Sequence, residues 1–251
     1  MAKITITCTC TQSYLKFFRV MLNSIQHNCI DVDIVARLIN VDERDTADIL
    51  SKYNNVSIIR DTSMLSSIRN KLRNNNIPLT KMKSKFLVSE LACYAIQIKY
   101  TDVVSLLSEG CPHILLLDVD SIVRKDISEL SALLDKSDIT VRYNDGLDKA
   151  GYYAHDWQEG GIGINNNKKT VEFFNRVQTH LADIEPTCLD AWGADGTAIN
   201  KARKEMVDID VQLLPKKYKD DTLNDASSIW SGRNSIKHDN DTFLKEMKRY
   251  S

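Results

Sequence analysis

The sequence has almost no net charge: 33 lysine and arginine residues stand against 34 aspartate and glutamate residues, a balance of -1 with histidine neutral. The chain as a whole therefore has no field that would draw it to nucleic acid or to an anionic membrane. The basic clusters Lys81/Lys83/Lys85 and Lys216/Lys217/Lys219 are short and lack the interleaved aromatic residues that stack on bases, so both read as solvated faces. No nucleic-acid partner is expected. Long apolar runs are also missing, with nothing near the ~20 residues of a membrane span. The N-terminus opens on an alternating segment and not on a secretory apolar region, and the chain reads as cytoplasmic. Six cysteines, Cys8, Cys10, Cys29, Cys93, Cys111 and Cys188, are too few and too scattered for a disulfide scaffold. Cys8 and Cys10, one residue apart, read as small hydrophobes on one strand face. Repeats and low-complexity linkers are absent, so no internal boundary is marked, and 251 residues suffice for one large α/β domain.

What is present is an alternation of strand and helix patterns. Ile4, Ile6 and Cys8 alternate with Thr5, Thr7 and Thr9, the period of a strand. Leu15, Phe18, Leu22 and Ile25 follow at helical spacing, then a second strand over Ile34 to Ile39. Asp42 is placed to cap a helix containing Ile49, and Val56 to Arg60 reads as a third strand. After the loop around Asn74 to Pro78, a long helix carries Leu87, Leu91, Tyr94, Ala95 and Ile98 on one stripe and leads to Ile114. Such alternation predicts a mostly parallel sheet flanked by helices. Further on, the patterns predict a helix near 127–134 and strands near 139–143 and 160–164. Helices near 170–183 and 195–204 and a strand near 207–214 complete the series.

The chemistry concentrates at Ile114 to Asp120. Four apolar residues, as expected of a strand buried on both faces, end abruptly in Asp118-Val119-Asp120. Two carboxylates then emerge at the carboxyl end of a central strand, where ligands bind in open α/β sheets. Their hard oxygens suit Mn2+ or Mg2+, which could bridge two phosphates. The competing reading is that one aspartate caps the next helix and the other is solvated.

The block Ile114-Leu-Leu-Leu-Asp118-Val-Asp120-Ser-Ile-Val-Arg-Lys-Asp126-Ile resembles the DxD region of GT-A glycosyltransferases, family 8 and related nucleotide-diphospho-sugar transferases in particular. The resemblance implies the GT-A fold and one domain over 1–251, with a nucleotide-binding half at 1–125 and an acceptor-side half and C-terminal tail at 126–251. It implies a glycosyltransferase of hexosyltransferase type, a nucleotide-sugar donor with uridine diphosphate expected, and a carbohydrate or glycoconjugate acceptor. By the same resemblance Asp118 contacts the donor and, with Asp120, the metal, while the loop from Thr9 to Tyr14 holds the base. Lys85 meets phosphate or sugar, or is a surface lysine. Gly160-Gly161-Ile-Gly163 is similar to the small-residue strand beneath the donor sugar, which gives Gly161 to the donor site. Asp195 orients the sugar or acceptor, or caps its helix; Glu159 is another possible base. In Gly232-Arg-Asn-Ser-Ile-Lys237-His238, Lys237 meets the diphosphate and His238 is the third metal ligand, although the family places its histidine before the glycine and lysine. The polar segment 145–158 and the tail after Leu214 are expected to shape the acceptor side. Two alternatives compete: a haloacid-dehalogenase-like phosphatase, whose motif strand also ends in DxD, and a chain that binds a nucleotide sugar without turnover.

Overall fold

The computed structural model describes residues 2–62, 90–143, 157–183, 194–233 and 235–251. The chain opens with β1 (Ile4–Thr11), a 3-10 turn (Gln12–Tyr14), α1 (Leu15–Asn28), β2 (Val32–Ile39), α2 (Glu43–Lys52) and β3 (Val56–Asp61). α3 (Glu90–Ser108) leads into β4 (His113–Leu117), then β5 (Ser121–Val123), α4 (Leu130–Leu134), β6 (Ile139–Tyr143) and β7 (Trp157–Asn165). α5 (Lys168–Asp183), α6 (Ala194–Glu205), β8 (Val211–Leu213), β9 (Ile229–Ser231), α7 (Ile236–Asp239) and α8 (Asp241–Arg249) follow.

Among the described residues a seven-stranded sheet runs in the order β3-β2-β1-β4-β7-β6-β8, and β5 pairs with β9 in a separate ribbon. β3, β2, β1 and β4 are mutually parallel; β7 runs antiparallel to both β4 and β6, and β8 is parallel to β6. The expected mostly parallel sheet with helices is therefore observed. Its centre explains the apolar run: Leu115 and Leu117 enter one core with Ile4, Ile6, Phe18 and Leu22, whereas Ile114 and Leu116 enter another with Tyr100, Phe173 and Phe174. Alternate residues of a strand face opposite sides, so only a strand covered twice needs apolar residues at every position.

Several local expectations need correction. Asp42 occupies the N-cap position of α2, but its side chain makes no capping bond. Its backbone N–H instead donates to Gln12 Oε1 at 3.1 Å, which ties the loop after β1 to α2. The strand expected over 207–214 shortens to Val211–Leu213, with Val207 exposed. The helix before β4 runs to Ser108, and the part expected over 86–89 lies outside the described residues. So does the polar segment over 145–158, except that Trp157 and Gln158 open β7 opposite Tyr143 and Arg142.

The tail departs most. Trp230, Phe243 and Tyr250 form a third core with Val20 of α1 and Ile122 of β5. The Arg124 guanidinium lies 3.7 Å over the Trp230 ring, a cation–π contact that also shields the indole from water. The segment after Leu214 is thus packed structure, and its β9 strand lies beside the strand that follows the two aspartates.

Candidate active site

The β4 strand ends at Leu117, and the chain turns through Asp118-Val119-Asp120, closed by Ser121 N donating to Asp118 O at 3.1 Å. The antiparallel pairing of Leu117 with Gly161 brings β7 alongside. The pairing of Ser121 with Ser231 brings β9 to the other flank, where Gly232 N donates to Asp120 O at 2.9 Å. Both expected aspartates are therefore at the carboxyl edge of the parallel strands, each flanked by a different antiparallel partner.

Each aspartate meets a lysine from the C-terminal segment. Lys219 follows the 3-10 turn Lys216–Tyr218 and sends Nζ to within 3.4 Å of Asp118 Oδ2. Lys237, on α7, donates to Asp120 Oδ2 at 2.7 Å, and its ammonium lies 5.1 Å over the Tyr14 ring. The Lys219 side chain is only 5% exposed, so its earlier reading as part of a solvated basic face is overturned. The glycines of β7 explain how it fits. A Cβ on Gly160 would lie 1.5 Å from Asp118 Oδ2, and one on Gly161 would lie 2.4 Å from Cδ of Lys219. These missing side chains make room for the protein's own aspartate and lysine, so Gly161 faces Lys219.

A third lysine completes the cluster. Lys99 of α3 donates to Asp195 Oδ2 at 2.7 Å, and the pair is largely buried. Asp195 sits in the first turn of α6 and also accepts from Gly196 N at 3.0 Å. It is thus held by an ion pair as well as by its own helix; it lies inside the first turn and not at the N-cap, so the capping role foreseen for it is not the one it takes. Lys99 was not singled out in the sequence, although it is the one lysine of α3, because its pattern there does not tell a buried ammonium from a solvated one.

Electrostatics set the two aspartates apart. Crowding by the surrounding protein works to raise the Asp118 carboxyl, but Lys219, Lys99 and Lys237 outweigh it and hold the group below the ordinary carboxylate value. Asp120 is more deeply enclosed; burial and the Asp118 charge raise it in spite of Lys237. Burial works against the Lys237 ammonium, yet Asp120 and Tyr14 raise its pKa above the usual lysine value. Asp118 and Lys237 both stay charged at neutral pH.

Of the remaining expected residues, Tyr14 reaches the cluster through Lys237. Thr9 lies on β1 with its hydroxyl oxygen buried and without a hydrogen-bond partner. Tyr14 is at the N-cap of α1, and its ring packs against Phe17 at 5.8 Å. His238 is exposed, and its ring meets the far partner of that stack, Phe17, edge-on at 5.8 Å. Lys85 and the Glu159 side chain lie outside the described residues. His113 is buried, with Nε2 2.9 Å from Asp135 Oδ1. Asp220 is fully buried; it accepts from Thr222 N, Thr222 Oγ1, Asn224 N and Ser227 Oγ and so organises the loop before β9.

The fit of a divalent cation can be judged from these side chains. Both candidate carboxylates already contact an ammonium group, and among the described residues no group of three His, Cys, Asp or Glu side chains is placed to hold a metal. The residues that precede Gly232 on β9, Ile229, Trp230 and Ser231, are buried and supply no imidazole. The described side chains do not complete the expected protein-held metal site, and one oxygen of each carboxylate already faces a lysine ammonium.

No family model matches the sequence, and no curated protein matches it. Among solved structures the chain is similar to the bifunctional glycosyltransferase WbbM in its apo form, at 14% identity and a TM-score of 0.59 over 98% of this chain and 50% of that one. It is similar to the galactosyltransferase LgtC in complex with donor and acceptor sugar analogues, at 12% identity and a TM-score of 0.61 over 98% of this chain and 95% of that one. A third likeness is to mouse xyloside xylosyltransferase 1, at 11% identity and a TM-score of 0.54 over 94% of this chain and 98% of that one. The chain thus spans about half the length of WbbM and nearly all of the other two. At these identities the likeness is one of architecture: the chain has the GT-A fold of nucleotide-sugar glycosyltransferases.

Proposed function

We propose that the chain is a glycosyltransferase that moves a sugar from a nucleoside-diphosphate sugar, with uridine diphosphate as the expected nucleotide, to a hydroxyl of a carbohydrate or glycoconjugate acceptor. The observation that supports this most is the juxtaposition of Asp118, Asp120, Lys219 and Lys237 at the carboxyl edge of the parallel strands, within the fold shared with sugar transferases. Breaking the bond between sugar and diphosphate leaves negative charge on the departing phosphate. Positive groups held in advance near that position lower the barrier, because no reorganisation is needed when the charge develops. Lys219 and Lys237 are such groups, and Asp118 and Asp120 fix their orientation.

In this reading the loop from Thr9 to Tyr14 receives the nucleotide base, and Asp195, oriented by Lys99, faces the sugar or the acceptor. Residues 1–125 form the nucleotide-binding half of one domain and 126–251 the acceptor-side half, with the amendment that the latter also lends two lysines to the donor. Manganese or magnesium at Asp118, Asp120 and His238 was the expectation from the sequence. The side chains of this chain do not fit it, and no step of the reading depends on a metal. The phosphatase alternative is not favoured, because β1, β2 and β3 precede the motif strand and the similar structures are sugar transferases.

Calorimetric titration with UDP, UDP-glucose, GDP and GDP-mannose tests the reading. Micromolar binding of one nucleotide class is expected, and binding of none would sink it. Release of nucleoside diphosphate from the matching sugar donor by wild type, and not by Asp120→Ala, is expected of a transferase. Donor binding without any release in either protein would indicate a chain that only binds.

A further inference from the structure

We propose that Lys219 and Lys237 occupy, toward the donor diphosphate, the place that a divalent cation was expected to fill, so that this chain binds and uses its donor without divalent metal. The inference rests on the nucleotide-sugar reading above.

A divalent ion at an aspartate pair needs free carboxylate oxygens and open coordination positions for phosphate and water. Here Lys219 Nζ already lies 3.4 Å from Asp118 Oδ2, and Lys237 donates directly to Asp120 at 2.7 Å. A dication entering between the carboxylates would be pressed against fixed ammonium groups.

Lys219 cannot readily step aside, because the protein is built around it. It is 5% exposed, and its stem lies on the bare backbone of Gly160 and Gly161, where added Cβ atoms would fall 2.4 Å from Nζ and 2.4 Å from Cδ respectively. This lodging is independent of the ion pair with Asp118: glycines at both positions are what allow a long side chain to lie there at all. On the other flank, Gly232 lets β9 approach Asp120 so closely that a Cβ would sit 2.7 Å from Asp120 O and 3.0 Å from Cβ of Lys237. The close approach at Gly232 brings the start of α7, and with it Lys237, against Asp120.

The geometry leaves donor capacity for phosphate. An ammonium group carries three N–H donors; the carboxylate engages one of them in each pair, and Tyr14 engages a second on Lys237. Each ammonium thus keeps at least one donor for a diphosphate oxygen without breaking the contact to Asp118 or Asp120. Asp118 is half exposed, so its pair with Lys219 borders open space from which a ligand can approach. The aspartates then act as positioning residues for the lysines, and the lysines are the groups that touch the donor.

The test is calorimetric binding of UDP to the full chain in Mn2+ and in EDTA, repeated with Lys219→Met and Lys237→Met after their thermal unfolding has been compared with wild type. Wild type should bind UDP with the same affinity, within about twofold, in both buffers. Each methionine variant should lose about tenfold or more in EDTA, as expected when a charge-assisted hydrogen bond is removed. Adding Mn2+ should restore part of that loss, because a freed carboxylate becomes available to metal; a readout of this kind would not move if the lysines served the fold alone. Binding of UDP by wild type only in Mn2+ would overturn the inference and leave the transferase reading standing. Failure to bind any nucleotide in either buffer would remove both. The wild-type comparison holds even if a variant does not fold.

Discussion

Arg37 and Lys219 each carry a positive charge to aspartates beside the same sheet, and the two clusters they form are built on opposite terms. Around Arg37 the acceptors are closed off from water. Its guanidinium donates from Nε to Asp102 Oδ2 at 2.9 Å and from Nη1 to Asp61 Oδ2 at 3.1 Å, while Tyr94 Oη donates to Asp61 Oδ2 at 2.6 Å. The Asp61 and Asp102 side chains are 4% and 2% exposed. Burial raises Asp102 even against Arg37. The planar fork engages both fixed carboxylates at once, through Nε and Nη2 to Asp102 and Nη1 to Asp61, and the result locks β2, β3 and α3 together. Around Lys219 and Lys237 the cations are point charges with donors to spare, and Asp118 is half open. One cluster is a fastening and the other is a set of contacts awaiting a partner.

Substitutions can sharpen that contrast. The largest stability effect is expected from Arg37→Met, which strands two buried carboxylates; unfolding by denaturant should show a loss of about 3–5 kcal/mol. Arg37→Lys should recover little of it, since an ammonium cannot reproduce the forked contacts to Asp102 and Asp61. If Arg37→Met were as stable as wild type, the view of this cluster as a fastening would be lost. Gly160→Ala should act on the other cluster. Its Cβ would collide with Asp118 Oδ2, so donor turnover should fall by about tenfold or more, with a stability loss of about 1–3 kcal/mol from overpacking. Unchanged turnover would mean that the position of Asp118 is not needed.

Tyr14→Leu removes the ring beneath Lys237 and should weaken UDP binding a few-fold, in line with about 0.5–1 kcal/mol for an exposed cation–π contact. An effect as large as that of Lys237→Met would give Tyr14 a direct role with the donor. The smallest effect is expected of His238→Ala. This exposed ring touches Phe17, and UDP affinity measured with and without Mn2+ should stay within about twofold, for a stability change within about 0.5 kcal/mol. A large loss confined to Mn2+ would return His238 to the metal.

Much of the first half was legible because its signals are local. The helical stripe of α1 and the unbroken apolar run of β4 follow from which faces of an element are covered, whereas the alternation in β1 marks a strand although Thr5 and Thr7 are buried as well. The emergence of Asp118 and Asp120 at a strand end needed only that strand. The tail was misjudged for the opposite reason. β9 is three residues long, and its apolar character shows only in Ile229, which enters the first core, and Trp230, whose burial depends on α1, β5 and α8. Gly160 and Gly161 were recognised as a place of close approach, but the approaching group could not be read from β7.

By itself the sequence determined a sheet of strands alternating with helices and two carboxylates at the end of its central strand, because strand period and burial on both faces are written into neighbouring residues. Only the tertiary structure decided what those carboxylates face. Lys219 and Lys237 lie 101 and 117 residues further along the chain and arrive through the β5–β9 pairing and two glycine contacts. No local period encodes such a meeting, since a lysine's pattern in sequence is the same whether its ammonium ends in water or against an aspartate.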